Sequence, residues 1–274
     1  HRYGRRQRQM CIRDSDSSVA ARLIKDIQDC HILVVGDLML DRFVDGAVTR
    51  ISPEAPVPVL SQSTSQQMPG GAANVACNLA QLGARVTLIG ACGDDATAAD
   101  LAAELQHFPR ITFIPVTVAG RPTSLKTRYR ASGQQILRVD DEVSIPISDS
   151  AQAELSDRVN AVLDTADMLI LSDYAKGCLP LTLIRALIDA ARAVKKLIVA
   201  DPKLADLSAY RDVDVLTPNL HELANAAGTS LTELDAIGAT AAKLAETQNI
   251  GTIMTTLSAR GILASQGDGT QFHD

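Results

Sequence analysis

Five polar clusters, each beside an apolar run or a helix entry, hold the side chains able to do chemistry. Gly36-Asp37-Leu38-Met39-Leu40-Asp41 follows the apolar stretch Ile32–Val35. Its carboxylates can grip sugar hydroxyls; Asp37 reads equally well as a turn cap, and Asp41 is the better ligand. Pro69-Gly70-Gly71-Ala72-Ala73-Asn74 is a small-residue turn running into a helix. Gly70 and Gly71 let backbone approach a ligand, and Asn74 offers donor and acceptor to a polyol. No Gly-Lys-Ser/Thr follows, so this is not a P-loop, and it lacks the G-x-G-x-x-G spacing of a dinucleotide site.

Leu171-Ser172-Asp173-Tyr174-Ala175-Lys176-Gly177 places an acid, a phenol and a lysine directly after another apolar run, which packing explains poorly. Asp201-Pro202-Lys203 follows the next run, and Thr217-Pro218-Asn219-Leu220-His221-Glu222 the one after. Asn219 and Glu222 also fit a helix capping box, the ordinary reading of that spacing. What favours function is accumulation at one edge of a sheet. Arg50, Arg121, Lys126, Arg128 and Arg130 lie in ribbon-like segments. Arg121 and Arg130 read as a solvated strand face. Lys126 and Arg128 share a face by period-two spacing and can meet a substrate phosphate.

These clusters need a scaffold that brings strand ends together. Helices are expected from Ser17 on, where Val19, Leu23, Ile24 and Ile27 repeat at helical spacing, and at Ala73–Leu82, Ala96–Leu105, 150–164, Leu181–Val194, 219–226 and 234–247. Strands are expected at Ile32–Gly36, Val86–Gly90, Met168–Leu171, Leu197–Ala200, Asp214–Thr217, Thr252–Thr256 and Gly261–Ala264. Continuous apolar strands alternating with helices predict an α/β fold with a mostly parallel sheet covered on both faces. Val44–Leu60, studded with prolines, is expected as an edge or lid strand. Ile111–Val118, Ser124–Arg130 and Gln135–Val139 are expected as antiparallel ribbons, giving a small β lid near 42–68 and 111–139. Ligands of such sheets bind at the carboxyl ends of the strands.

The chain of 274 residues is 46% hydrophobic, with 26 basic and 32 acidic residues and a net charge of −6. Five arginines and no acid fall in residues 1–13, leaving 21 bases against 32 acids, a net of −11, in the other 261. With no tryptophan, four Phe and four Tyr, the acidic body excludes a nucleic-acid surface. No apolar run approaches the ~18 residues of a membrane span. The five cysteines are scattered with no zinc or C-x-x-C spacing, and Cys77 and Cys92 read as small core residues in a reducing compartment, so a cytoplasmic protein is expected. Residues 1–16 read as a non-native or disordered basic head, and 17–274 as the domain.

In order, the clusters resemble the ribokinase/PfkB family of carbohydrate kinases. Gly70-Gly71-x-x-Asn74 is similar to its first signature and Asn219-x-x-Glu222 to the motif that arranges magnesium and nucleotide phosphates. Gly36–Asp41, Arg50–Val59, Leu171–Gly177 and Asp201–Lys203 resemble the branch that phosphorylates heptose 7-phosphate. The resemblance implies a ribokinase-like three-layer α/β/α sandwich, using ATP and Mg2+ to phosphorylate D-glycero-β-D-manno-heptose 7-phosphate at O1 for ADP-heptose and lipopolysaccharide synthesis. It also implies a homodimer joined through the lid. By position, Asp41, Gly70, Gly71, Asn74 and Asp173 would hold the sugar, and Lys126, Arg128 and Lys176 its phosphate. Asn219, Leu220, His221, Glu222 and Lys203 would serve ATP, with Glu222 and Asn219 reaching magnesium indirectly. The family's Gly-Ala-Gly-Asp turn, which supplies the catalytic aspartate, does not occur, so the base is expected beyond Asp274. The chain is therefore expected to be a C-terminally truncated fragment, inactive as it stands and without the adenylyltransferase domain of two-domain members. The alternatives are another PfkB sugar kinase and a non-catalytic sugar-phosphate-binding protein.

Overall fold

The computed structural model describes residues 17–204 and 206–273; the arginine-rich head lies outside them. In chain order come α1 (Ser17–Gln28), β1 (His31–Gly36), β2 (Leu38–Ile51), β3 (Pro58–Gly71), α2 (Ala72–Gln81), β4 (Arg85–Cys92) and α3 (Ala96–Leu105). Next are β5 (Ile111–Thr117), β6 (Ser124–Ala131), β7 (Gln134–Asp141), α4 (Asp149–Leu163), β8 (Met168–Ser172), α5 (Leu181–Ala193) and β9 (Leu197–Asp201). The chain continues through β10 (Val215–Leu216), α6 (Leu220–Ala227), α7 (Leu234–Thr247), β11 (Thr252–Thr256), β12 (Ile262–Gln266) and β13 (Gly269–His273).

β1 is buried along its whole length because both faces meet helices. Leu33 and Val35 face a core built with α4, α5 and α7, whereas Ile32 and Val34 face one built with α2 and α3. Nine strands form the main sheet in the order β13-β12-β11-β10-β9-β8-β1-β4-β5, parallel except at β12 and β13. From β1 the chain winds first outward through β4 and β5, then returns to β8 on the other side. The β1/β8 boundary is thus the topological switch point, where such sheets place ligands. Beyond β8 the first core's face is covered. On the opposite face Ile170, Val199, Val215, Met254 and Ala264 are only partly buried.

The lid is a second sheet of four strands, ordered β3-β2-β6-β7. Two expectations need correcting here. The stretch Ile111–Val118 does not belong to the lid: β5 pairs in parallel with β4 at the edge of the main sheet. An edge strand buried on one side alternates like a ribbon, and Pro115 is tolerated there because an edge leaves one side of the strand unpaired. The proline-rich segment is also not one strand. Pro53 and Pro56 sit in the turn between β2 and β3, and Pro58 opens β3, where a missing N–H costs least. The glycine pair therefore ends a long lid strand and enters α2 without an intervening loop.

Gly71 makes that entry possible. Its φ of 56° is left-handed, and a Cβ there would stand 2.5 Å from the Asp37 carbonyl oxygen. With ψ at −134° this is a conformation that side chains with a Cβ rarely adopt, and Gly71→Ala should lower stability by about 1–3 kcal/mol. Urea unfolding of the two proteins checks this, and an equal midpoint would refute the strain assigned to this entry.

Candidate active site

Strand ends β8, β9, β10 and β11 lie side by side, so the residues after them share one edge. A cleft of about 560 Å³ runs along it, lined by Ser172, Asp173, Tyr174, Asp201, Lys203, Thr217, Asn219, Glu222 and Thr256, with Val75, Ile170 and Val199 beneath. Asn219 and Thr256 also border a second cleft of about 520 Å³, lined by Leu220, His221, Leu257, Ser258, Gly261 and Ile262. Three separate sequence clusters thus meet in one place.

Asp37 organises the first of them. Its Oδ2 accepts the backbone N–H groups of Tyr174 (2.8 Å) and Lys176 (3.1 Å), and its Oδ1 that of Cys178 (3.0 Å). Buried to 2% exposure, it is fully employed as a loop anchor, which decides between the two readings of this residue. Asp173, equally buried, accepts the N–H of Ala175 at 2.7 Å and the phenol of Tyr210. Burial pushes its carboxyl above the usual range, and the Tyr210 and Ala175 donors only partly offset that. Tyr210 stands on a short 3₁₀ turn, Leu207–Tyr210, and also receives the N–H of Lys203 at 3.4 Å. It joins the Asp173 and Lys203 clusters, and a lone tyrosine in a loop carries no sequence signal for that.

Asp201 is likewise raised by burial, against the hydroxyl of Thr217, which donates to it at 3.1 Å. Asn219 and Glu222 do form a capping box: Asn219 Oδ1 accepts the Glu222 N–H, and Glu222 Oε2 accepts that of Asn219, both at 2.9 Å. Glu222 Oε1 then takes Lys203 Nζ at 2.6 Å, a contact that raises the lysine's pKa. The cap and the chemistry use the same atoms. Leu220 packs partly against the main core, and His221 is exposed with Nε2 3.1 Å from Asn225. The hydroxyl of Ser172 is buried at the cleft wall with no partner.

The remaining predicted residues lie outside this cleft, on the lid, on α2 and on the loop after β8. Asp41 pairs with Arg128 and packs against Gly70, where a Cβ would come within 2.7 Å of its carboxylate. Asn74 is exposed in the first turn of α2. Lys126 binds Asp140 (3.2 Å) and Glu142 (2.6 Å), and Lys176 binds the other oxygen of Glu142 at 2.6 Å. Tyr174 lines the cleft, where burial raises its pKa, with Asp201 and Asp41 adding to the effect. Arg121 and Arg130 are not a solvated strand face. Arg121 donates to the carbonyls of Ile145 (2.8 Å) and Lys176, while Arg130 grips Asp45 and lies 4.7 Å over the ring of Phe43.

The Tyr210–Asp173 contact has a pH signature. With its folded pKa raised, Asp173 binds its proton more tightly in the folded state. Its contribution to stability is therefore full in acid and is lost as pH rises through the raised value. Removing the phenol raises that value further. Tyr210→Phe should cost about 1–3 kcal/mol near neutral pH and less in acid, measured by urea unfolding at both; an equal cost at both would refute the coupling.

The model of the pfkB family carbohydrate kinases matches residues 30–274. The bifunctional protein HldE of Azorhizobium caulinodans is 42% identical over 252 residues, covering 92% of this chain and 52% of that protein. Its counterpart in Hyphomonas neptunium is 42% identical over 244 residues, covering 89% and 50%. The chain thus spans about half the length of the curated relatives it matches. Among solved structures, the tetrameric inhibited form of phosphofructokinase-2 from Escherichia coli aligns with a TM-score of 0.71 at 22% identity, over 88% of this chain and 77% of that one. Arabidopsis thaliana ribokinase, complexed with ribose and ATP, aligns at 0.64 and 19%, over 89% and 78%. These two similarities establish the ribokinase-like fold. With the family model matching nearly the whole described chain, the protein belongs to the pfkB family of carbohydrate kinases.

Proposed function

We propose that this chain is the sugar-kinase part of an enzyme that phosphorylates D-glycero-β-D-manno-heptose 7-phosphate at O1 with ATP, giving the 1,7-bisphosphate for ADP-heptose synthesis. The observation that carries the reading is the meeting of Asp173, Asp201, Glu222 and Lys203, from adjacent strand ends, in one cleft. Asp41, Gly70, Gly71, Asn74 and Asp173 take the sugar, and Lys126, Arg128 and Lys176 its phosphate. Lys203, Asn219 and Glu222 serve the nucleotide phosphates, while the second cleft, with Leu220 and His221, suits the nucleoside. Phosphoryl transfer needs positioning and charge neutralisation more than covalent chemistry, which fits groups spread around a cleft.

Magnesium fits this donor set indirectly. Among the described residues, no three His, Cys, Asp or Glu stand together, and both Glu222 oxygens already have partners. Magnesium tolerates such a site, because it keeps several waters and takes most other ligands from phosphates. Asn219 and Glu222 would hold its waters, and when bound the ion neutralises phosphate charge.

An apolar groove on the lid supports a homodimer. Val48, Val57, Pro58, Leu60, Tyr129, Ile136, Leu137 and Val139 line an apolar groove of about 480 Å³, with Leu137 54% exposed. The lid edges at β3 and β7 are unpaired among the described residues, a liability that a second copy would cover. Free Cys30, Cys77, Cys92 and Cys178 support a reducing, cytoplasmic setting. Among the described residues no helix is long and apolar enough to cross a membrane.

Two measurements test these readings. Calorimetry should give tighter binding of heptose 7-phosphate than of the unphosphorylated heptose, fructose 6-phosphate or ribose. Lys126→Ala or Arg128→Ala should weaken it about tenfold or more, the scale of a lost charged hydrogen bond. Preference for another sugar would overturn the substrate. Light scattering should report a dimer that Leu137→Asp converts to monomer; a monomeric parent protein would overturn the lid pairing.

A further inference from the structure

Glu142 belongs to none of the motifs, yet it sits where the two sheets meet. It follows β7 at the exit of the lid and precedes α4, in a segment outside regular structure. One carboxylate oxygen is 2.6 Å from Lys126 on the lid strand β6, the other 2.6 Å from Lys176 on the loop after β8. The three side chains are 18%, 14% and 22% exposed, respectively. Lys126 also meets Asp140 at 3.2 Å. Asp140 is shared with Arg138 at 2.9 Å, so Glu142 is the one carboxylate that the two lysines hold between them. Burial works against the Glu142 carboxylate, but hydrogen bonds from both lysines prevail and hold its pKa below the usual range.

Lysines this far from water need a counter-ion, since an unpaired, partly buried charge is costly. Glu142 supplies it internally. Any outside anion must displace this carboxylate rather than fill an open site. A free carboxylate that did so would exchange one carboxylate for another and lose its own freedom of motion, so it gains nothing. A dianionic phosphate brings twice the charge and more acceptor oxygens, and the exchange becomes favourable. The neighbouring segment stays pinned by Arg121 on the Ile145 carbonyl at 2.8 Å and by Ile147 N–H on the Gly177 carbonyl at 3.0 Å.

We propose that Glu142 is an anion gate: its carboxylate holds the Lys126–Lys176 pair until a substrate phosphate exchanges for it, making Glu142 a specificity-determining residue for phosphorylated sugars over sugar acids. This rests on the reading of the two lysines as the phosphate site.

The test is calorimetry on the full chain and its Glu142→Gln variant, with inorganic phosphate, acetate, heptose and heptose 7-phosphate as probes. A gate predicts that Glu142→Gln binds inorganic phosphate at least tenfold more tightly, the scale of losing one charged competitor. It also predicts that acetate, silent with the parent chain, binds the variant in competition with phosphate. A merely structural or positioning Glu142 predicts the reverse, weaker phosphate binding, and that result or no change would overturn the gate. The parent chain's preference for heptose 7-phosphate over heptose tests the phosphate-site reading separately, so the two failures are distinguishable. Should the variant not fold, hydrogen exchange on the parent chain decides: residues 142–144 should exchange faster with saturating phosphate, and slower or unchanged exchange refutes displacement.

Discussion

At the end of β1 the carboxylate of Asp37 accepts three backbone N–H groups from the loop after β8. Its main chain does as much: its N–H donates to the Ser172 carbonyl, and its carbonyl accepts from Ala72 at the head of α2. One buried residue thus fixes the switch point of the sheet, the loop bearing Asp173 and Lys176, and the helix bearing Asn74. Charge-assisted bonds to backbone N–H groups are about twice as strong as neutral ones, which suits an anchor that must orient three elements. Asp173 and Tyr210 extend the same construction to β9, because the phenol reaches both the acid and the Lys203 backbone.

A second feature is the way charge is arranged around the cleft. The cleft-side bases of the lid and loops are paired with acids: Lys126 with Asp140 and Glu142, Arg128 with Asp41, Lys176 with Glu142, Lys203 with Glu222. In a body as acidic as this one, uncompensated bases would be simple to read as an anion site. With compensated ones, the phosphate proposed above would have to bind by exchange, so its affinity would depend on what each base gives up as well as on what it gains. Lys126 and Lys176 come from different sheets, which also ties this exchange to the fit of lid on body.

Much of this architecture was legible from residue order. Continuous apolar runs such as Ile32–Val35 are buried on both faces, so periodicity alone marks them as central parallel strands, and helix 96–105 has the bounds its pattern predicts. The strand-end clusters at Asp173, Lys203 and Asn219 converge because parallel strands must all point their carboxyl ends the same way. What was misread lies at edges. β5 has one covered face and one open one, so it alternates like a lid ribbon, and β13 follows a polar turn with little apolar content. Arg121 and Arg130 looked exposed because spacing cannot show a carbonyl or a carboxylate arriving from a distant segment.

The sequence by itself determined the fold class and the edge of the sheet where the polar clusters gather, since these follow from local periodicity and from polar residues placed after apolar runs; the family showed in the resemblance of its motifs. Only the tertiary structure decided which distant partner each polar residue takes. Asp37 anchors a loop, Arg121 straps two segments together, and Glu142 joins two lysines that lie 50 positions apart in the chain. Partners at that separation leave no periodic trace, because they are chosen by the packing of lid against body rather than by neighbours along the backbone.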